Sequence, residues 1–246
     1  MIALISDIHS NIEALSAVLE DIKSRDIDKI YCLGDVIGYG PNPKECLELA
    51  KHFDVCLMGN HEYAVLYGAE NFNPRAAKAI DWTRAQLFEK NETGKNNLQF
   101  IKSLKQIYVE GDLTMVHASP RQPIKEYLLP ADIRNPTKLD ANFALFDRVC
   151  ITGHTHHPGV FLPGYSFEKP SDIMNIYMLD SDERAILNVG SVGQSRDGNN
   201  DACYATFDGD AIVFRRVKYD FMTTMKKIRA INLLDNSLAD RLAAGR

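Results

Sequence analysis

Six short apolar runs in this chain each end in a cluster of polar, metal-capable residues, and those clusters hold five of its seven histidines. In order they are Ala3-Leu4-Ile5 into Ser6-Asp7-Ile8-His9, Ile30-Tyr31-Cys32-Leu33 into Gly34-Asp35, and Val55-Cys56-Leu57-Met58 into Gly59-Asn60-His61-Glu62. Then come Leu113-Thr114-Met115-Val116 into His117, Val149-Cys150-Ile151-Thr152 into Gly153-His154-Thr155-His156, and Ile186-Leu187 into Asn188-Val189-Gly190-Ser191. A short buried strand reads as such a run, bounded by glycine or polar residues. In open α/β sheets, ligands gather outside the carboxyl ends of the strands. Six strands sharing one core would bring their tips to one site rich in Asp, Asn and His.

The segments between the runs alternate with them. Residues 11–22 place Ile12, Leu15, Val18, Leu19 and Ile22 at helical spacing, with Ser10 or Asn11 available as the N-cap. A strand follows near residue 30, then a loop rich in Gly and Pro, then a second helix to about His52. The first 60 residues thus read β-α-β-α-β, the pattern of a layered α/β domain. Residues from about 74 to 107 carry no strand and two amphipathic stretches, Arg75 to Glu89 and Asn96 to Leu104, which read as a helical insertion walling the site. The span 202–217 reads as a hairpin turning at Asp208-Gly209, and a helical tail closes the chain from about 220 to 246. Without a linker or repeat, residues 1–246 are expected to form a single domain.

Composition narrows the function classes. A formal net charge of −5 gives no reason to expect nucleic acid as a partner, whereas a metal could still hold a phosphate on an acidic protein. No apolar run approaches the roughly 20 residues that cross a bilayer, so no membrane partner is expected. The five cysteines, Cys32, Cys46, Cys56, Cys150 and Cys203, are widely spaced with no Cys-x-x-Cys. Three of them sit inside apolar runs, which favours free core thiols and a cytoplasmic location.

The tips themselves carry the chemistry. On an extended segment, residues i and i+2 share a face, so Asp7 and His9, or His154 and His156, can reach one ion. Asp35 has two carboxylate oxygens and can bridge two ions, Asn60 offers an amide oxygen, and His117 adds an imidazole. Each alone has a plainer reading: Asp-x-His as a cap or surface pair, Asp35 as an N-cap, His117 as a buried structural histidine, as His52 and His157 are read here. Their joint occurrence on successive strand tips is what those readings leave unexplained. Seven ligands exceed one open site and suit two ions about 3.5–4 Å apart. Ligation by Asp, Asn and His without thiolate suits two divalent or trivalent ions among Mn, Fe, Zn, Co and Ni.

The order Asp7-x-His9, Gly34-Asp35, Gly59-Asn60-His61-Glu62, His117 and Gly153-His154-x-His156 resembles the calcineurin-like metallophosphoesterases, over residues 1 to about 215. The resemblance implies a four-layer α-β-β-α sandwich of two mixed β-sheets flanked by helices. It implies one ion on Asp7, His9, Asp35 and His156, and a second on Asp35, Asn60, His117 and His154. His61 matches the catalytic histidine that stands off the metals, as general acid or as a stabiliser of charge on the leaving oxygen. The implied reaction is in-line attack on a phosphodiester bond of a small molecule or nucleotide, a small-molecule phosphoester substrate, by a hydroxide held between the ions. Val36-Ile37-Gly38-Tyr39-Gly40 lacks the Asp-Arg pair that protein phosphatases of this superfamily carry there. The segment Asn188-x-Gly190-Ser191-Val192-Gly193-Gln194-x-Arg196-Asp197, with His117-Ala118-Ser119-Pro120, resembles the small prokaryotic-type phosphodiesterases. A phosphodiesterase is therefore expected ahead of a phosphomonoesterase, a dinucleoside polyphosphate hydrolase, a protein phosphatase or a non-catalytic scaffold. The sixth tip is read as a wall of the site, and Arg121, Arg196, Tyr39 and Asn42 as candidate substrate contacts.

Overall fold

A computed structural model of the chain describes residues 1–70, 72–179 and 183–246. It opens with β1 (Ile2–Ile5), α1 (Ile12–Ser24), β2 (Lys29–Cys32), α2 (Pro43–Ala50), β3 (Val55–Cys56) and α3 (Asn60–Tyr67). The helices α4 (Pro74–Leu87) and α5 (Glu92–Ser103) precede β4 (Ile107–Glu110) and β5 (Leu113–Val116). Next come α6 (Pro136–Phe143), β6 (Val149–Thr152), β7 (Gly159–Leu162), β8 (Ser166–Glu168), β9 (Ile176–Met178) and β10 (Ala185–Asn188). The hairpin β11 (Ala202–Phe207) and β12 (Ala211–Val217) leads to α7 (Phe221–Ala230) and α8 (Asn236–Ala244).

The strands form two mixed sheets of six, ordered β3-β2-β1-β11-β12-β9 and β4-β5-β6-β10-β7-β8. In the first, β1, β2 and β3 run parallel, and β11, β12 and β9 extend it antiparallel. In the second, β5, β6 and β10 are the parallel centre. Strict side-chain alternation then builds four layers. Leu4 of β1 and Val149 and Ile151 of β6 meet in the core between the sheets. Their neighbours Ala3 and Ile5 face outward onto Leu15, Val18 and Ile22 of α1, and Cys150 faces outward onto Leu139 and Phe143 of α6. Strands buried on both faces read as continuous apolar runs, which is why the tips were legible as run ends.

Several local expectations shift. Asn11, not Ser10, caps α1, its side chain accepting from Ala14 N at 3.1 Å. The second helix of the insertion begins at Glu92, earlier than Asn96, because the Asn91 side chain caps it by accepting from Gly94 N at 2.8 Å. The insertion ends before β4, which pairs with β5 from Ile107. The tail is two helices, since Asp235 accepts from Ser237 N at 2.9 Å and starts α8 afresh. The helix α3, unanticipated from sequence, begins at Asn60 itself. All five cysteines are free, and no helix among the described residues is long and apolar enough to cross a membrane.

Candidate metal centre

The strand tips do not project their side chains from extended backbone, as the i, i+2 argument assumed. Asp7, His9, Asp35, His154 and His156 all lie in the left-handed region, with φ between 48° and 65°. Such a conformation costs an L-residue roughly 1–2 kcal/mol, and Asp, Asn and His tolerate it best. Hydrogen bonds between neighbouring tips hold it: Asp7 N donates to Gly34 O at 3.0 Å, His9 N to Asp35 O at 2.9 Å and Ser10 N to Val36 O at 2.9 Å. The β1–β2 pairing thus continues past both strands as a turn-by-turn ladder. Across the sheets, His154 N donates to Asp7 Oδ2 at 2.9 Å. The close approach demands glycine beside the ligands: a methyl group at Gly153 would overlap Ser6 and Asp7, and one at Gly59 would overlap Asp35.

The seven expected ligands come together, and none of Asp7, His9, Asp35 and His156 is more than 2% exposed. Asp7, His9 and His156 form one group of facing ligand atoms; Asp35, His117 and His154 form another. His156 Nε2 lies 3.1 Å from Asp7 Oδ1, and His117 Nε2 lies 3.4 Å from Asp35 Oδ2. His9 Nε2 lies 3.8 Å from that same Asp35 oxygen, which therefore faces both groups. Asn60 Oδ1 is 3.1 Å from His117 Nε2.

Hydrogen-bond chemistry shows that these residues fit a bound cation. His9 Nδ1 bonds to Ile37 O at 3.3 Å, His117 Nδ1 to Leu33 O at 3.0 Å, and His156 Nδ1 to Gln194 O. Each carbonyl makes Nδ1 the N–H and turns Nε2 into a lone pair aimed inward. Those lone pairs oppose one another: His9 Nε2 lies 3.1 Å from His156 Nε2, and His117 Nε2 lies 3.2 Å from His154 Nδ1. Asp7 Oδ1 is buried with no hydrogen-bond donor. Acceptors crowded this closely repel unless a cation or a proton lies among them.

In the second group a proton on His117 can take that place when no metal is bound. Burial disfavours charge on His117, but the Asp35 carboxylate outweighs it and raises the imidazole to about 9. The pair therefore stabilises the fold fully below the free-histidine value of 6.5. That contribution is lost as pH rises through about 9. Metal ligation needs the neutral ring, so it strengthens over the same window. Saturating metal at 100 times its Kd is expected to add about 2.7 kcal/mol, or roughly 5–10 °C in Tm for a chain this size. The increment should grow between pH 6.5 and about 9 in melting curves with and without Mn²⁺. An increment that shrinks with pH would contradict ligation by His117.

His61 stands beside both groups and forms a third cluster of facing ligand atoms with His9 and Asp35, so its off-metal role is what the family resemblance implies. Its Nε2 lies 3.9 Å from Asp35 Oδ2, and its ring packs at 4.4 Å from Tyr39 and 5.3 Å from Phe72. No residue among those described bonds its Nδ1. Burial, opposed by the Asp35 carboxylate, lowers the imidazole to about 4, so at neutral pH it is an uncharged N–H donor.

Glu62 was visible in the third tip but had no assigned role. Its carboxylate accepts from Asp35 N at 2.8 Å, Ile37 N at 3.1 Å and Gly59 N at 2.9 Å. It thereby clamps the left-handed turn that presents Asp35. Glu62→Ala would strand three buried N–H groups. At about 1–3 kcal/mol each, partly relieved by water, a loss of roughly 2–4 kcal/mol is expected in denaturant unfolding. A loss under about 0.5 kcal/mol would show that the clamp does not hold the turn.

The sixth tip presents no ligand atom to the cluster and instead braces it. Asn188 Nδ2 donates to Thr155 Oγ1 at 3.0 Å. Ser191 Oγ donates to Asp7 O at 2.8 Å. The four candidate substrate contacts separate. Tyr39 lies at the site, 4.7 Å from the His9 ring. Arg196 is at the site too: its Nη2 donates to Gln194 Oε1 at 2.9 Å, while its buried Nε has no partner among the described residues. Arg121 is instead engaged by Glu126. Asn42 donates to Glu45 Oε1 at 3.0 Å and accepts from Lys227 Nζ at 3.2 Å. These last two are held by partners of their own, Arg121 by Glu126 and Asn42 by Glu45 and Lys227.

Two mixed sheets packed face to face, with Asp, Asn and His tips converging at one end, define the metallophosphoesterase architecture. Residues 1–158 match the family model described as calcineurin-like phosphoesterase, and the chain belongs to that family. It is 43% identical over 260 residues to an uncharacterised protein of Methanocaldococcus jannaschii, covering 100% of this chain and 98% of that one. Among solved structures it is similar to a metallophosphoesterase from Sphaerobacter thermophilus. That structure has a TM-score of 0.83 and 39% identity, covering 100% of this chain and 98% of the other. A hypothetical protein from Pyrococcus horikoshii shares the fold, with a TM-score of 0.75 at 19% identity and coverage of 100% and 99%.

Proposed function

We propose that this metal-dependent phosphoesterase hydrolyses small phosphodiesters at a centre of two transition-metal ions. Asp7, His9, Asp35 and His156 would hold one ion, and Asp35, Asn60, His117 and His154 the other. The observation that carries the reading is the sharing of Asp35 Oδ2 between two converging groups of acceptors. When bound, the ions neutralise the phosphoryl oxygens and acidify water, the chemistry of a two-metal hydrolase.

The chain's own residues supply the rest. Asp35, fixed by Glu62 and by accepting from His61 N at 2.9 Å, sets where the phosphoryl group can sit. His61, neutral and buried, donates its Nε2–H to the leaving oxygen as negative charge develops there. Arg196 adds a fixed positive charge at the mouth. A diester is favoured over a phosphoprotein because nothing after Asp35 supplies an acid for His61 Nδ1 or a second guanidinium. Among the described residues Arg196 is the guanidinium that acts on His61 and His156, and it suits a single phosphate charge.

The test is turnover of the Mn²⁺-loaded protein on bis-p-nitrophenyl phosphate, p-nitrophenyl phosphate and a phosphoserine peptide. The diester should exceed both others in kcat/KM by at least about tenfold, and EDTA should abolish all turnover. Preference for either monoester would overturn the diester assignment, and no turnover on any of them would point to a scaffold.

A further inference from the structure

Beside the Asn60 and His154 edge of the metal centre lies a cavity of about 400 Å³. Four of its thirteen lining residues, Tyr39, Tyr63, Phe72 and Tyr127, are aromatic, against 9% of the chain as a whole. No Leu, Ile, Val or Met lines it among the described residues. An acyl or isoprenoid chain calls for branched aliphatic walls, so this lining speaks against a lipid ester. The volume lies at the low end of the roughly 300–1,000 Å³ typical of ligand pockets, room for one ring system with a sugar and too little for a polymer.

The rings are arranged to be used. Tyr127 lies with its centroid 4.0 Å from the His154 ring, tilted by 37°. It nonetheless remains 48% exposed, so ring surface is left open. Phe72, from the segment before α4, meets His61 edge-on at 5.3 Å, so it reaches the cavity from the leaving-group side. The Lys125 ammonium sits 4.6 Å above Tyr63 and adds a positive charge to a lining that also includes the Glu70 carboxylate. Planar, π-faced walls with one cation beside a phosphate-binding centre match a nucleobase on a ribose phosphate, because every base offers a face for stacking.

We infer that this cavity is the nucleoside subsite of the enzyme, and that Tyr127 and Phe72 are its stacking platform. The substrate class is then a small nucleoside phosphodiester. The inference rests on the phosphodiesterase reading only for where the phosphoryl group sits, and binding tests it apart from turnover.

Titration calorimetry on Mn²⁺-loaded protein would compare adenosine monophosphate with ribose 5-phosphate, which share the phosphate and the sugar and differ by the base. The nucleotide should bind at least about tenfold more tightly, and Tyr127→Leu and Phe72→Leu should each cut that ratio by roughly 5- to 100-fold, as expected for removing a ring under a base. Tyr127 is half exposed, so its replacement leaves the fold intact and the measurement interpretable. A ratio near one in the unaltered protein overturns the inference, as does a high ratio that neither variant lowers. A high ratio lost in both variants, in a protein that hydrolyses no diester, upholds the subsite and sinks only the catalytic reading.

Discussion

Asp35→Asn is expected to strip the protein of metal and of activity together. Asn keeps the shape of Asp and one carbonyl oxygen, so it can still accept from His61 N as Asp35 Oδ1 does at 2.9 Å. What it loses is the negative charge on the oxygen that faces His9 at 3.8 Å and His117 at 3.4 Å. Two ions held close together would repel strongly in a buried site, and a shared anion would make their proximity tolerable. Turnover should fall by about 10⁴-fold or more, because both the electrostatic stabilisation and the activated water disappear. Elemental analysis should show the metal content dropping from two ions per chain to one or none. The variant should stay folded, since Glu62 still holds the turn through its backbone bonds. Two retained ions with normal turnover would refute the bridging role.

His61→Ala separates chemistry from metal binding. On the proposed assignment the ring, 3.9 Å from Asp35 Oδ2, stands off both ions, so metal content should remain at two ions. Turnover should drop by about 10²–10⁴-fold, the range for loss of a proton or hydrogen-bond donor at a leaving group. The loss should be smaller for p-nitrophenolate, which needs little help to depart, and larger for an alkoxide. Burial drives the imidazole to about 4, so its contribution as an N–H donor is fully present well above that value. The lost activity should therefore be nearly constant from pH 6 to pH 8. Equal losses for good and poor leaving groups would remove His61 from the leaving-group side.

Much of the fold was legible because its strands are buried on both faces. Runs such as Ala3-Leu4-Ile5 and Val149-Cys150-Ile151-Thr152 end abruptly where the chain meets the cluster, and that abruptness marks the tips. The helix α3 escaped notice for a related reason: Asn60, His61, Glu62, Ala64 and Val65 are all buried, so its sequence shows no solvated face and no amphipathic period. The choice among Arg121, Arg196, Tyr39 and Asn42 was equally invisible. An Arg in a turn looks the same whether a glutamate claims it, as Glu126 claims Arg121, or whether it faces the site.

The polar strand tips by themselves marked which Asp, Asn and His residues converge, since these are residue types in a fixed order, and the family resemblance supplied their expected roles. Only the tertiary structure decided the conformation and the surroundings. Five site residues occupy left-handed backbone, where local propensity would seldom put them. They stay there because hydrogen bonds between β1 and β2, across the sheets from Asp7 to His154, and through Glu62 together outweigh the strain. The aromatic cavity is likewise assembled from Tyr39, Tyr63, Phe72 and Tyr127, which no sequence spacing connects. Order along the chain records which groups can bind an ion; long-range packing sets what those groups face.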